Sequence, residues 1–581
     1  MKDKIVHLMN KSSLFILVAT AIGLSTPLQG QELSTLNKKN LIKVTGGYGL
    51  GINHISVIGR EAAQPALTYN FNTNLNVNVA GAFSFPFSFA YSSNTVSSSA
   101  PNFNITQFTP SYKWVKLYLG NTFMSLSPYT MAGTPFTGAG FELTPKNWKI
   151  SGFYGYLKRA QEQIPNSTNN GVTYNQIGYG LGVTHNNPVI GDIGIAFLKA
   201  KDDPNSISFI PEATQTTPQD NLALSIDYRR KFLKMFNLQA TYAMSVYTRD
   251  NRADISNSSL KFFDNFIDNR SNTTNYNALD VALGFNISNL GLLFNYKRID
   301  PGFVSLGSYN INNNLESFGL NSNFSLYQGR LNINTTSQLN QNNIDKASFK
   351  TQYIWNNAIN ANIIPFPKVN VGLGYNNNTS FSNVQRTFTP FSIQQDSFSV
   401  HTLADVYNSN VSFQVGPNDN PQMIMIAGNM VQAKIERGNP EFNLALNNSL
   451  SKMLNVSHSF KLKKAALQVS NAINYNTNEL DANTTINYGV SNTLSKSFFK
   501  NTINCSMSNT FNVVQANVNS SLVSSNFMAS YALKPKANST KNILTENHRF
   551  GLSFRMTKQF APAGMPSVAE FLSSLNYSWS F

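Results

Sequence analysis

Apolar and polar residues alternate with period two through nearly the whole chain, the pattern of strands that bury one face or turn it to lipid. Leu222, Leu224, Ile226 and Tyr228 alternate with Ala223, Ser225, Asp227 and Arg229. Leu279, Val281, Leu283, Phe285 and Ile287 oppose Asp280, Asn286 and Ser288. Phe83, Phe85, Phe87, Phe89 and Tyr91 form an aromatic face, and Leu575, Tyr577, Trp579 and Phe581 another. The alternation places about 26 strands, within a range of roughly 22 to 28, from a first near 42–56 to a last near 569–581. No helical segments cover them. An even count with both termini on one side suits a single-chain antiparallel barrel.

Connections alternate in length. Tight links at Thr144–Trp148, Asn289 and Leu462–Lys464 are followed by long polar ones at Lys201–Asp220 and Asp250–Asn275. Short periplasmic turns and longer outer loops produce this rhythm. Charge follows it: Lys113, Lys146, Lys234, Arg330, Lys368, Lys463 and Lys464 lie at short turns, whereas Asp202, Asp203, Asp250, Asp254, Asp268 and Asp345 fall in or beside long loops. Charge collecting wherever water is would explain the positions, but not the separation of sign.

Composition narrows the class. The chain has 581 residues, of which 12% are charged and 12% aromatic, with mean hydropathy −0.22. Charge is about half the usual share. Asn, Ser and Thr supply the polarity, as a water-facing barrel interior needs. Apart from the N-terminal segment, no run reaches the roughly 18 apolar residues of a spanning helix. That segment, 1–30, reads as a secretory signal: Lys2, Lys4 and Lys11 precede the apolar run Leu14–Leu24, and Ser25–Gly30 offers a cleavage region. Residues 31–581 are then the barrel. Gln31–Asn40 is a short polar lead, so neither a separate plug nor a periplasmic domain is expected. Net charge is +16, and about +14 once Lys2, Asp3, Lys4 and Lys11 leave with the signal. The basic residues are scattered and no nucleic-acid motif accompanies them, so nucleic acid is not an expected partner. Cys505 is the lone cysteine and can form no internal disulfide.

Catalytic chemistry finds no footing. His54, His185, His401, His458 and His548 are sparse and lack metal-ligand spacing, and no nucleophile and base are grouped. Gly46–Gly51 lacks the helix that a phosphate loop needs and reads as a closely packed strand. An enzyme, a metal and a cofactor are therefore not expected. Two loops stand out. Thr122–Thr137, TFMSLSPYTMAGTPFT, carries no charge, unlike a loop standing in water. Folded inward, it would narrow the lumen, with Pro128, Gly133 and Pro135 setting turns and Phe123, Met124, Tyr129, Met131 and Phe136 packing. The alternative is an apolar rim patch for a partner. In Asp250–Asn275, Phe262, Phe263 and Phe266, with Leu260 and Ile267, have the spacing of a short amphipathic helix, suited to a lid or a partner contact.

The stretch Phe108–Leu143, FTPSYKWVKLYLGNTFMSLSPYTMAGTPFTGAGFEL, resembles a family of uncharacterised Bacteroidetes outer-membrane barrels. In that family an SPxYKW turn precedes a strand and an SPYTxAGxxFxGAGxEL loop. Ser111–Trp114, Ser127–Ala132 and Gly138–Leu143 match, while Thr109 stands where the pattern has Ser. The resemblance implies an outer-membrane, porin-like barrel and supplies no catalytic residues.

A closed sheet of that size would be about 50 Å across, too wide for side chains to fill. The expected function is a passive outer-membrane pore partly occluded by the inward-folded loop. The competing expectation is a sealed barrel that serves as scaffold or subunit of an envelope export, adhesion or assembly complex. Outer-membrane lipid, lipopolysaccharide and the insertion machinery are the expected partners. Tyr577, Trp579 and Phe581 resemble the terminal signal read by that machinery, which would put both termini in the periplasm.

Overall fold

The computed structural model describes residues 42–62, 65–93, 106–162, 172–208, 216–256, 266–348, 350–384, 398–417, 419–437, 448–481, 483–499, 501–516, 519–533, 547–560 and 566–581. The 1–30 leader, Phe262 and Phe263 lie outside them. The described residues contain no helix and form one closed antiparallel sheet of 26 strands, the count that the alternation predicts.

The first strands are β1 (Ile42–Ile58), β2 (Leu67–Val79) and β3 (Phe83–Ser92). The next is broken into β4 (Thr106–Phe108) and β5 (Ser111–Tyr112), which both pair with β3 on one side and β6 on the other. Prolines explain the break: neither Pro86 nor Pro110 has an N–H for the ladder, and the Thr109 N–H donates instead to Pro86 O at 3.1 Å. Then come β6 (Val115–Ser127), β7 (Met131–Leu143), β8 (Trp148–Lys158), β9 (Gln176–His185), β10 (Asp192–Asp202) and β11 (Asp220–Phe232). β12 (Phe236–Thr248), β13 (Thr273–Ile287), β14 (Leu290–Ile299), β15 (Leu315–Leu326) and β16 (Leu331–Gln341) follow. The Asn- and Ser-rich remainder runs β17 (Lys350–Ile363), β18 (Val369–Val384), β19 (Phe398–Val415), β20 (Gln422–Arg437) and β21 (Ser449–Leu462). It ends with β22 (Leu467–Leu480), β23 (Asn483–Phe498), β24 (Ile503–Gln515), β25 (Ser520–Leu533), β26 (Asn547–Phe560) and β27 (Val568–Ser580).

β1 closes the sheet by pairing with β27 from Gly47↔Ser580 to Ile58↔Ala569. The seam is extended by reciprocal backbone bonds, Gly46 N to Phe581 O at 2.8 Å and Phe581 N to Gly46 O at 2.9 Å. Closure removes the unpaired edges that an open sheet would leave. Period two then sorts every strand into two faces. One face carries exposed large apolar side chains, for example Ile195 (57% exposed) and Leu575 (51%), and is the outer one. The other is the inner wall.

Short connections gather at the end where β1 begins and β27 finishes. Ala80–Gly81, Leu233–Lys234 and Tyr327–Gln328 are consecutive residues with positive φ, the hand that suits two-residue hairpin turns. Longer connections, including 159–175, 203–219, 249–272 and 300–314, lie at the opposite end; 481–482 is a short exception there.

Candidate functional site

The sheet between Asn121 and Thr137 leaves the wall. β6 pairs with β4 only as far as Gly120, and β7 pairs with β8 only from Thr137 onward. Beyond those points β6 and β7 pair, among the described residues, with each other alone, so the segment read from sequence as a loop is a two-stranded hairpin. Register shifts at Met124/Ser125 and Ser125/Ser127 bend it, as bulges do. Gly133, at φ +68°, takes a left-handed conformation that a side chain would strain.

One face of the hairpin is buried. Met124, Met131 (0% exposed) and Phe136 pack with Phe153 and Leu157 of β8, Leu198 and Ala200 of β10, and Ala223 of β11. Phe153, Leu198 and Ala223 alternate with the exposed outward residues Tyr154, Ile195 and Ile226. The hairpin therefore lies against the inner wall. Its other face leaves Phe123 54% exposed, with Pro135 opposite it and Pro128 also exposed.

Glycine makes the close approach possible. A Cβ on Gly140 would stand 2.6 Å from Met124 Sδ, and one on Gly180 2.8 Å from Leu126 Cδ1. Gly178, Gly180 and Gly182 share the inner face of β9, a flat strip under the hairpin. Their spacing in the sequence was the available signal.

A second segment, 300–314 between β14 and β15, which the sequence did not single out, meets the hairpin. Met131 and Gly307 form a parallel bridge, and Ala132 N donates to Gly307 O at 3.2 Å. The Thr134 hydroxyl donates to Gly307 O, and the Ser305 hydroxyl to Thr130 O. The wall holds the segment from behind: Asn221 Nδ2 donates to Val304 O (3.3 Å), Ser245 Oγ donates to the same carbonyl (2.6 Å), and Leu306 N donates to Asn221 Oδ1 (3.1 Å). Tyr129, at the hairpin tip, stacks edge-on against Phe303 at 6.0 Å and donates to Asp280 Oδ2 of β13 at 3.1 Å. Lys297 of β14 pairs with that same carboxylate at 3.0 Å. Burial, then the charge and hydrogen bond of Asp280, then Asp227, hold the Tyr129 hydroxyl well above the ordinary tyrosine range.

The rest of the wall is different. Every buried apolar side chain among the described residues falls between Met124 and Leu306. From β15 onward an inner row reads Asn323, Asn334, Asn360, Gly374, Asn408 and Asn429 from strand to strand. Nearer the short turns another runs Gln468, Ser495, Ser506, Met528, Ser553 and Ser574.

The 249–272 connection takes another course. Ile267 is buried with Leu222 and Val246, beside Phe197, on the outer face of the wall. Under it sits the Lys199–Asp220 ion pair, itself outward-facing and almost fully buried, with Lys201 reaching Asp268 at 3.3 Å. Phe266 remains 37% exposed. At the seam, Trp579 packs on Tyr48 (5.1 Å) and Phe581 (4.6 Å), and Tyr577 on Phe550 (4.8 Å). His185 lies against Trp148 at 4.3 Å, and the His458 Nε2 is 3.1 Å from Gln422 Oε1. Among the described residues no three His, Cys, Asp or Glu side chains are grouped to hold a metal ion.

No protein-family model matches the chain, and no curated protein matches it in sequence. Among solved structures, BauA, the ferric preacinetobactin receptor of Acinetobacter baumannii, is similar over 92% of this chain and 80% of its own, at 10% identity and TM-score 0.37. The translocation pore of the P pilus usher PapC is similar over 93% and 99%, at 10% identity and TM-score 0.36. OccK2 of Pseudomonas aeruginosa is similar over 93% and 98%, at 9% identity and TM-score 0.26. At these scores the likeness carries no weight for function, which rests on the chain's own residues.

Proposed function

We propose that the chain is an integral outer-membrane barrel acting as a non-enzymatic, porin-like pore, narrowed by the Thr122–Thr137 hairpin and the 300–314 segment. The observation that supports this is the division of the inner wall. Among the described residues one sector is covered by apolar packing, and the other is left open with Asn and Ser side chains, as a water-filled lumen needs. Magnitude favours a narrowed pore over a sealed one. A hairpin laid on the wall takes up about 10 Å, one sheet-packing distance, inside a barrel about 50 Å across from strand to strand. The exposed face of the hairpin, with Phe123, Pro128 and Pro135, would border the passage. Apolar exterior side chains would meet membrane lipid, and the aromatic seam of Tyr577, Trp579 and Phe581 would serve insertion.

Swelling of proteoliposomes in uncharged polymers of increasing size tests the reading. Wild-type protein admits the smaller polymers. Replacement of Thr122–Phe136 by Asn-Gly, which joins the register partners Asn121 and Thr137 through a tight turn, admits larger ones. No swelling from either protein refutes the pore. The scaffold reading draws on one observation, the apolar flap around Ile267 and Phe266 on the outer wall. It predicts silence together with co-purifying envelope proteins.

A further inference from the structure

The alternation of faces decides which charges look into the lumen at the short-turn mouth. Lys43 pairs with Asn78, on the face opposite exposed Ile42 and Leu50. Lys116, opposite Glu142, shares its face with Tyr118, whose ring its Nζ overlies at 4.6 Å. Lys149 follows outward-facing Trp148. On β11, Arg229 and Lys231 continue the inner row of Ser225 and Asp227. Across the barrel, Lys461 faces Gln468, and Arg549 faces Ser578.

All of these lie within four residues of the short-turn end of their strands. Among the described residues the acidic side chains on the same face and level are Glu142, already paired with Lys149 at 3.1 Å, and Asp192, which accepts from Asn187 N; Asp419 stands in the short turn between β19 and β20. Lys461 has no carboxylate within ion-pair distance among the described residues. It borders a concavity of the inner wall about 980 Å³ in volume, lined with the Ser and Asn side chains of β23–β27 and no acidic residue. Turn lysines Lys113, Lys146, Lys234 and Lys368 add charge at the same mouth. At the other mouth Asp203, Asp250, Asp254 and Asp268 lie in or beside the long connections.

We propose that the short-turn mouth is a basic collar that selects anionic solutes, those bearing carboxylate, phosphate or other oxyanion groups. This rests on the pore reading and deepens it. A mouth lined by one sign of charge concentrates the opposite ion. Reach decides when this matters. At about 0.01 M salt the screening length is roughly 30 Å, enough to span the passage, whereas at 1 M it is about 3 Å and only ions against the wall feel the collar.

The test is the zero-current potential of single channels in planar bilayers under a tenfold KCl gradient, at low and at high mean salt. The expected potential has the chloride sign at low salt and collapses toward zero at high salt. Lys116→Gln with Lys231→Gln and Lys461→Gln moves the low-salt value toward zero while unit conductance in 1 M KCl stays the same, which shows the barrel intact. Lys346→Gln, at the opposite end, leaves it unchanged. Channels with no anion preference, or a preference untouched by the triple substitution, overturn the collar alone. Absence of any channel overturns the pore reading as well.

Discussion

Met131→Ala is the most informative single substitution. Met131 has no exposed surface and sits between Met124, Phe136, Leu198 and Leu306. Truncation removes its apolar atoms and leaves a cavity between hairpin and wall, at a cost of about 2–5 kcal/mol for such a buried site. That cost falls on docking of the hairpin, because the strands of the wall keep their own ladders. At about 3 kcal/mol the undocked population rises roughly a hundredfold. Hydrogen exchange resolved by residue in detergent reads this directly. The amide of Ala132, bonded across the contact to Gly307 O, should exchange about a hundred times faster, while those of β8–β11 keep their rates. Phe123→Ala, on the exposed face, is the control and should change exchange by less than threefold, within about 0.5 kcal/mol. Unchanged Ala132 exchange in Met131→Ala, or an equal effect from Phe123→Ala, would refute the docking geometry.

Tyr129→Phe removes the hydrogen bond to Asp280 but leaves that carboxylate paired with Lys297, so docking should weaken by about 1–2 kcal/mol, read by the same exchange. Because the docked Tyr129 hydroxyl is held above its ordinary value of 10.0, the docked state keeps a proton that the undocked state loses. Docking is then fully supported below pH 10 and weakens as pH rises above it, and Tyr129→Phe should lose this alkaline dependence. Gly180→Val places atoms where Leu126 Cδ1 lies 2.8 Å from the Cβ position, and overpacking of about 1–3 kcal/mol should lift the hairpin; unaltered exchange at Ala132 would count against the glycine strip. Phe581→Ala removes a ring packed on Trp579 and should lower membrane yield more than it alters the melting of inserted barrels; normal yield would contradict the insertion role.

Strand count and order were legible because each strand carries two distinct faces, and a period of two survives even where Asn and Ser replace charge. Met124, Tyr129, Met131 and Phe136 are buried, as uncharged bulk in a long connection that finds cover would be. Phe123 lies on the exposed face in plain alternation with buried Thr122 and Met124, whereas the register shifts at Met124/Ser125 and Ser125/Ser127 that follow it have no local sequence mark. The 300–314 segment escaped notice for another reason. It is held largely through backbone carbonyls, Val304 O and Gly307 O, by side chains up to 173 residues away. The Gly178, Gly180 and Gly182 spacing was visible, but its meaning needed the hairpin above it. Burial of Lys199 and Asp220 accompanies the placement of Ile267 against Leu222 and Val246 on the outer wall, a placement that the amphipathic pattern around Phe266 leaves open.

Single-channel conductance of the intact protein, set beside the variant in which Asn-Gly replaces Thr122–Phe136, bears most directly on the central claim. The account predicts stable channels from both, with a larger unit conductance and a larger polymer size limit once the hairpin is gone. Closed membranes from the wild type, or equal conductance and size limit in the two proteins, would contradict it.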